Sequence, residues 1–152
     1  RSHRQRDAVP PSMKKVMRPR YYCDHCNRGG GSGGHIKKHE ERCTKNPARK
    51  CGMCAMMENT QPDLNALMAL LPTGEDQSWT EYSDDGRHSW VTFRSIPLET
   101  VKALREAAER CPACMMAALR QRGLPVGSAE GFNFTEECKT IWSDFNKSHC
   151  YE

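Results

Sequence analysis

Apolar residues recur at helical spacing in several stretches of this chain, and aromatic and β-branched residues gather in two others. In residues 62–71, Leu64, Leu67, Met68 and Leu71 share one face of a helix that Pro72 stops. Residues 79–82 and 88–94 read as two strands. Ser83-Asp84-Asp85-Gly86-Arg87 between them is turn chemistry, so the pair predicts a hairpin. Val101, Leu104 and Ala108 lie on one face of a helix over residues 97–110 that starts near Ser95. Pro112 breaks or kinks it, and a second helical stretch runs on to Arg122 and stops at Gly123. Phe134, Cys138, Ile141, Trp142 and Phe145 recur at i, i+4, i+7, i+8 and i+11. That is an amphipathic helix, capped by Asn133 or Thr135. No segment repeats at a fixed period.

The first part of the chain lacks such a pattern. Residues 1–20 carry seven basic residues and three prolines, with almost nothing to bury, and read as a disordered basic arm. The chain opens on Arg1 rather than Met, with Met13 and Met17 as candidate natural starts, so residues 1–18 are left out of the fold reading. Residues 21–46 form a compact finger, and 46–50 a short linker. Residues 51–152 make up a second module holding the predicted helices and hairpin.

Composition sharpens this layout. Of 152 residues, 37% are hydrophobic and 7% aromatic, a thin core of the kind that needs a staple. Residues 1–50 hold 14 Lys and Arg against 4 Asp and Glu, a net +10, and the rest of the chain carries −6. A basic half beside an acidic one points to a polyanion partner for the first; the plainer reading is a solvated tail. No apolar run approaches the ~20 residues of a membrane span, and there is no signal-peptide core. The nine cysteines are an odd number, and six of them form three C-x2-C pairs. That spacing suits metal knuckles better than a disulfide framework and implies a reducing compartment, cytoplasm or nucleus.

Cys23, Cys26, His39 and Cys43 follow the spacing C-x2-C-x12-H-x3-C. Zinc takes four such ligands in a tetrahedron. The knuckle supplies one edge, and positions 39 and 43, one helical turn apart, supply the other. Over residues 21–47 the chain resembles the classical zinc finger, in the variant that ends on Cys. Tyr21 stands two before the first Cys, Ile36 three before the His, and Thr44-Lys45-Asn46-Pro47 faintly echoes the interfinger linker. Gly30 stands where the family places an aromatic residue. Gly29-Gly30-Gly31-Ser32-Gly33-Gly34 replaces part of the usual core and helix start, which implies a softer, more zinc-dependent finger. The resemblance implies base contacts from Ser32, His35 and Lys38. Lys37, Lys38, Arg42, Arg49 and Lys50, with Lys14, Lys15, Arg18 and Arg20 of the arm, are the candidate phosphate contacts. His25 and His35 are bystanders to the metal, although His35 sits one turn before His39.

Cys51-Gly52-Met53-Cys54 and Cys111-Pro112-Ala113-Cys114 are two knuckles separated by 56 residues. Together they complete a closed four-cysteine site with a helix and a hairpin inserted between them. The competing chemistry is redox, because Cys-Pro-Ala-Cys opening a helix resembles the reactive pair of thioredoxin-like proteins. That architecture needs a strand directly upstream, where this sequence predicts a helix. Met53, Met56, Met57, Met115 and Met116 flank the knuckles, as core or as an adaptable surface. Cys138 reads as a core residue and Cys150 as a free thiol.

No catalytic pattern emerges: two sites closed by four protein ligands leave no position for water. Asp84, Asp85 and His88 sit on a turn whose residues serve conformation. The expectation is an α+β protein with two structural zinc ions and no enzymatic activity, binding DNA or RNA through arm and finger. The rival is a zinc-scaffolded protein-interaction adaptor, and neither reading involves a membrane.

Overall fold

The computed structural model describes residues 12–149. Residues 1–11 of the basic arm and Cys150 lie outside the described residues. The fold is α+β, with helices and two small antiparallel hairpins.

Strands β1 (Tyr21–Tyr22) and β2 (Gly29–Gly30) pair antiparallel, Tyr21 with Gly30 and Tyr22 with Gly29. Helix α1 (Gly33–Arg42) follows. Ser32 caps it, its hydroxyl accepting from the His35 N–H at 3.4 Å, which fills an otherwise orphan donor. The apolar cluster here is only Cys23, Ile36 and Cys43, with Cys26 against it. The glycine run has a packing consequence: a Cβ on Gly29 would come within 2.8 Å of the Tyr22 ring, and one on Gly33 within 3.3 Å of the Tyr21 ring. Bare backbone lets the two rings approach the chain there, and a Cβ on Gly30 would instead face Ile36 at 3.4 Å.

Beyond the finger come α2 (Gly52–Met56), α3 (Leu64–Ala69), the hairpin of β3 (Ser78–Tyr82) and β4 (Ser89–Phe93), α4 (Leu98–Ala107), α5 (Pro112–Gln121) and α6 (Phe134–His149). Helix α5 lies at the centre. Pro112, Cys114, Met115, Ala117, Ala118 and Leu119 are all buried, so it is covered on most sides rather than along one stripe. Leu64 and Leu67 of α3, Leu71 beyond it, and Val101 and Leu104 of α4 pack against it, with Ile96, Leu124, Ala129 and Phe132 closing the core. Asp63 caps α3 through the Asn65 N–H at 3.2 Å. Ile96 bridges Ala129, its N–H donating to the Ser128 carbonyl at 2.8 Å and its own carbonyl accepting from Glu130 at 3.1 Å.

Two predicted elements differ in detail. The helix expected over 97–110 ends at Ala107, because Glu109 and Arg110 take φ of 51° and 63°, in the left-handed region. The break thus precedes Pro112, which opens the next helix, where its missing N–H costs nothing. Helix α6 is capped by Asn133, whose Oδ1 accepts from the Glu136 N–H at 3.1 Å. Arg105 Nε ties it to α4 through Glu137 Oε1 at 2.6 Å. Its apolar stripe is only part-covered: Trp142 remains 43% exposed and meets Phe145 edge to face at 6.1 Å. The β3–β4 hairpin contributes no buried residue to the core, and Trp79, Tyr82, Trp90 and Val91 on it are exposed.

Candidate metal centres

Two groups of four ligating side chains come together in this fold: Cys23, Cys26, His39 and Cys43, and Cys51, Cys54, Cys111 and Cys114. Within each group the ligand atoms all lie within 4.8 Å of one another, so each could hold one metal ion.

The first group is local. The chain leaves β1 into a tight turn, with Cys23 N–H donating to the Arg28 carbonyl at 2.8 Å and Asn27 N–H to the Cys23 carbonyl at 3.0 Å. Asn27 holds the left-handed φ of 60° that the turn demands and that Asn tolerates. Helix α1 brings His39 and Cys43 to one side, and Cys26 Sγ sits 3.1 Å from His39 Nε2. His25 donates a backbone N–H to Cys23 Sγ at 3.4 Å. The rings of His25 and His35 are exposed and outside the group.

The second group is long-range. Cys51 precedes α2 and Cys111 precedes α5, so each knuckle is a loop residue followed by a helical one three positions on. Cys51 Sγ lies 3.6 Å from Cys111 Sγ, and Cys54 Sγ 3.6 Å from Cys114 Sγ. These are not disulfide distances, which are about 2.0 Å. They match the edge of a tetrahedral zinc thiolate, about 3.8 Å for a Zn–S bond of about 2.3 Å. All four sulfurs are buried. The segment before Cys111 is α4 and a left-handed pair rather than a strand.

Proton affinities show what such crowding does. Burial pushes the Cys26 thiol up, but hydrogen bonds from the Arg28 backbone and His39, with Cys43 and Cys23, outweigh it and bring it to about 7. Burial, with neighbouring Cys26 and Cys23, pushes Cys43 up to about 11. In the second group, hydrogen bonds from Cys111 and Cys114 hold Cys51 down. Burial and the Cys111 charge push Cys54 up to about 12. Cys114 is driven up by Cys111 and then Cys51. In each cage one thiol is held down while another is pushed up, Cys43 in the first and Cys54 and Cys114 in the second, because adjacent thiolates repel in a desolvated site. A cation at the centre removes that conflict, and the donor sets fit one.

Of the candidate nucleic-acid contacts, Ser32, His35, Lys37, Lys38, Arg42 and Lys50 are exposed. Arg28, Ser32, His35, Lys38 and Arg42 line a shallow groove of about 890 Å³ beside the first group. Arg49 is a correction to the sequence expectation. It is 7% exposed and turned inward, Nη1 3.9 Å from Cys114 Sγ, and cannot reach a phosphate outside. The segment 46–50 is accordingly no free linker. Gln61 brackets it, Nε2 donating to the Arg49 carbonyl at 2.9 Å while Oε1 accepts from the Cys51 N–H at 2.6 Å. Gln121 Nε2 donates to the carbonyls of Thr44 and Asn46, each at 2.9 Å, and Lys50 N–H to that of Glu41 at 2.8 Å. Of the flanking methionines, Met115 is fully buried and Met53 and Met57 pack against the core. Cys138 is half-buried and belongs to neither group.

Compared with known protein families, curated proteins and solved structures, the chain matches none of them. No helix among the described residues is long and apolar enough to cross a membrane.

Proposed function

We propose that this chain is a zinc-stabilised nucleic-acid-binding protein. Each group of four holds one structural zinc, residues 21–47 act as a Cys-Cys-His-Cys finger, and finger and arm grip the phosphate backbone. The observation that carries this reading is the juxtaposition at α1. The face opposite Ile36, His39 and Cys43 presents Lys37, Lys38 and Arg42 to solvent, and the described part of the arm, 12–20, is exposed as well. Zinc is favoured over harder cations by seven sulfurs and one imidazole with no carboxylate in either set. Four protein ligands per ion leave no open position, in keeping with a structural rather than a catalytic role.

Binding through charge alone follows the salt concentration. About four or five phosphate contacts give a slope of log affinity against log salt near −4 on duplex DNA. The Ser32 hydroxyl accepts the capping N–H of α1, which holds the side chain against the helix end, and with at most three base-reading candidates a weak sequence preference is expected. Anisotropy titrations on duplex DNA, single-stranded DNA and RNA, with and without Lys37, Lys38 and Arg42 replaced by Ala, test this. The triple variant is expected to bind more weakly with a flatter slope. Absence of binding to all three at ~50 mM salt overturns the reading.

The exposed hairpin favours a second reading, a protein-interaction adaptor. Trp79 and Trp90 project from one face of a ribbon that the core does not use. Retention of the partner by the triple variant, with loss on replacing Trp79 and Trp90, would select it.

A further inference from the structure

Arg49 is the one buried charged side chain among the described residues whose chemistry the fold does not explain. No carboxylate pairs with it among those residues. Its one side-chain hydrogen bond among the described residues is Nη1 to Cys114 Sγ at 3.9 Å, and its Nε is buried without a partner. A guanidinium does not lose its proton, so burial cannot be relieved by neutralising it. A buried cation without an opposing charge is strongly unfavourable. The groups the structure places beside it that can oppose it are the four sulfurs, reached through Cys114. As thiols, or as two disulfides, they carry no charge. As four thiolates around a divalent ion they carry a net charge of two minus, in a site whose cysteines are 1–3% exposed.

We propose that Arg49 is the counter-cation of the four-cysteine metal centre, supplied by the segment that joins the finger to the second module, and that it sets how tightly the centre holds its ion. This rests on reading the cluster as a metal centre. Three features support the assignment. The Arg49 backbone is fixed independently of the sulfur contact, by Asn46 (its carbonyl accepting from Arg49 N–H at 3.2 Å) and by Gln61. The side chain therefore reaches the cage from an anchored base. The first centre, with three sulfurs and a neutral imidazole, carries one charge fewer around a divalent ion. It leaves Cys26 and His39 part-exposed to water and has no buried arginine beside it among the described residues. Cations that neutralise a thiolate cage raise its affinity for the metal in the way other outer partners of metal ligands do.

The test uses the full chain loaded with two equivalents of cadmium, whose NMR signal separates a four-sulfur site from one with three sulfurs and a nitrogen. A chelator is titrated in, and the midpoint for loss of each signal is read in the unchanged chain, in Arg49→Gln and in Arg49→Lys. The expected result is a shift of the four-sulfur midpoint by about tenfold or more toward lower chelator in Arg49→Gln. The other signal stays in place, and Arg49→Lys falls within a few-fold of the unchanged chain. If Arg49→Gln does not fold even at saturating metal while Arg49→Lys does, charge is required and the proposal stands. Equal midpoints in the unchanged chain and Arg49→Gln overturn it. So does equal loss, or equal failure to fold, in both variants, which would assign the effect to guanidinium packing. A missing four-sulfur signal in the unchanged chain defeats the metal reading instead.

Discussion

The two sulfur cages solve one coordination problem at opposite extremes of chain distance. The first closes within 21 positions, from Cys23 to Cys43, around a core that amounts to one isoleucine. The second joins knuckles whose first cysteines are 60 positions apart and sits among fourteen other buried residues of a real hydrophobic cluster. A local site has little else to hold it together, so a metal there and the fold would be nearly the same thing. A long-range site shares the load with packing, but an ion there would also tie the entry of α2 to the entry of α5. Its loss therefore reaches further than its size suggests.

Removing one ligand from each cage gives the largest contrast. A structural zinc contributes roughly 10 kcal/mol or more of apparent binding free energy at neutral pH. Cys23→Ser is expected to melt residues 21–46 and leave the helices of the second module protected from exchange. Cys111→Ser is expected to loosen that module broadly. Hydrogen exchange of both variants, with zinc counted by elemental analysis, decides. Two ions per chain should fall to one in each variant, and identical global loss in both would erase the contrast.

The next effect concerns how independent the regions are. Gln121 Nε2 donates to both Thr44 and Asn46, and Arg120 Nη1 to Thr44 Oγ1 at 2.9 Å, stitching α5 to the end of the finger. Gln121→Ala removes two hydrogen bonds, about 1–2 kcal/mol in all, and leaves two carbonyls to find water. The expected outcome is faster exchange across 44–50 with both ions retained. Unchanged exchange there would mean that the Gln121 bonds do not hold the finger against α5, leaving the Arg120 contact and the chain connection to do so.

The smallest effect lies far from both cages. Trp79 Nε1 and Trp90 Nε1 donate to the two carboxylate oxygens of Glu81, at 3.0 and 2.8 Å. The Trp79 indole, then that of Trp90, holds the Glu81 carboxyl below its ordinary range. A depressed carboxyl contributes order that is present above the ordinary Glu range and is lost as pH falls through its lowered value. The indole N–H resonances of Trp79 and Trp90 should shift together below that range. Glu81→Gln should abolish the transition while leaving both ions bound. An unchanged transition in Glu81→Gln would assign it to another group.

Both ligand sets were legible in the sequence because each knuckle is a local pattern, and pairing the second two needed only the chemistry of four sulfurs. The long helices were legible from periodicity. The left-handed pair Glu109 and Arg110 was not, since neither residue type announces a positive φ. Helix α2 is five residues long and β1 and β2 two each, too short to show any period. Arg49 was misplaced for a physical reason. In Ala48-Arg49-Lys50 nothing in the residue types separates the inward cation from the outward one; only the cage, built from residues far along the chain, does so. The hairpin was legible from its turn, yet its two tryptophans meet solvent, because register fixes which residues share a face but not whether anything covers it.

That ribbon has anchored feet. On one side Gly74 donates to the Arg122 carbonyl at 2.7 Å, so close to Gly123 that a Cβ there would meet its oxygen. On the other, Ile96 is locked to the strand-like stretch at Ala129. Arg94 N–H closes the base on the Gln77 carbonyl at 2.7 Å. Everything between Gln77 and Arg94 is thus a removable cartridge: a shorter turn, or a foreign peptide spliced in its place, inherits two fixed ends and leaves both cages untouched.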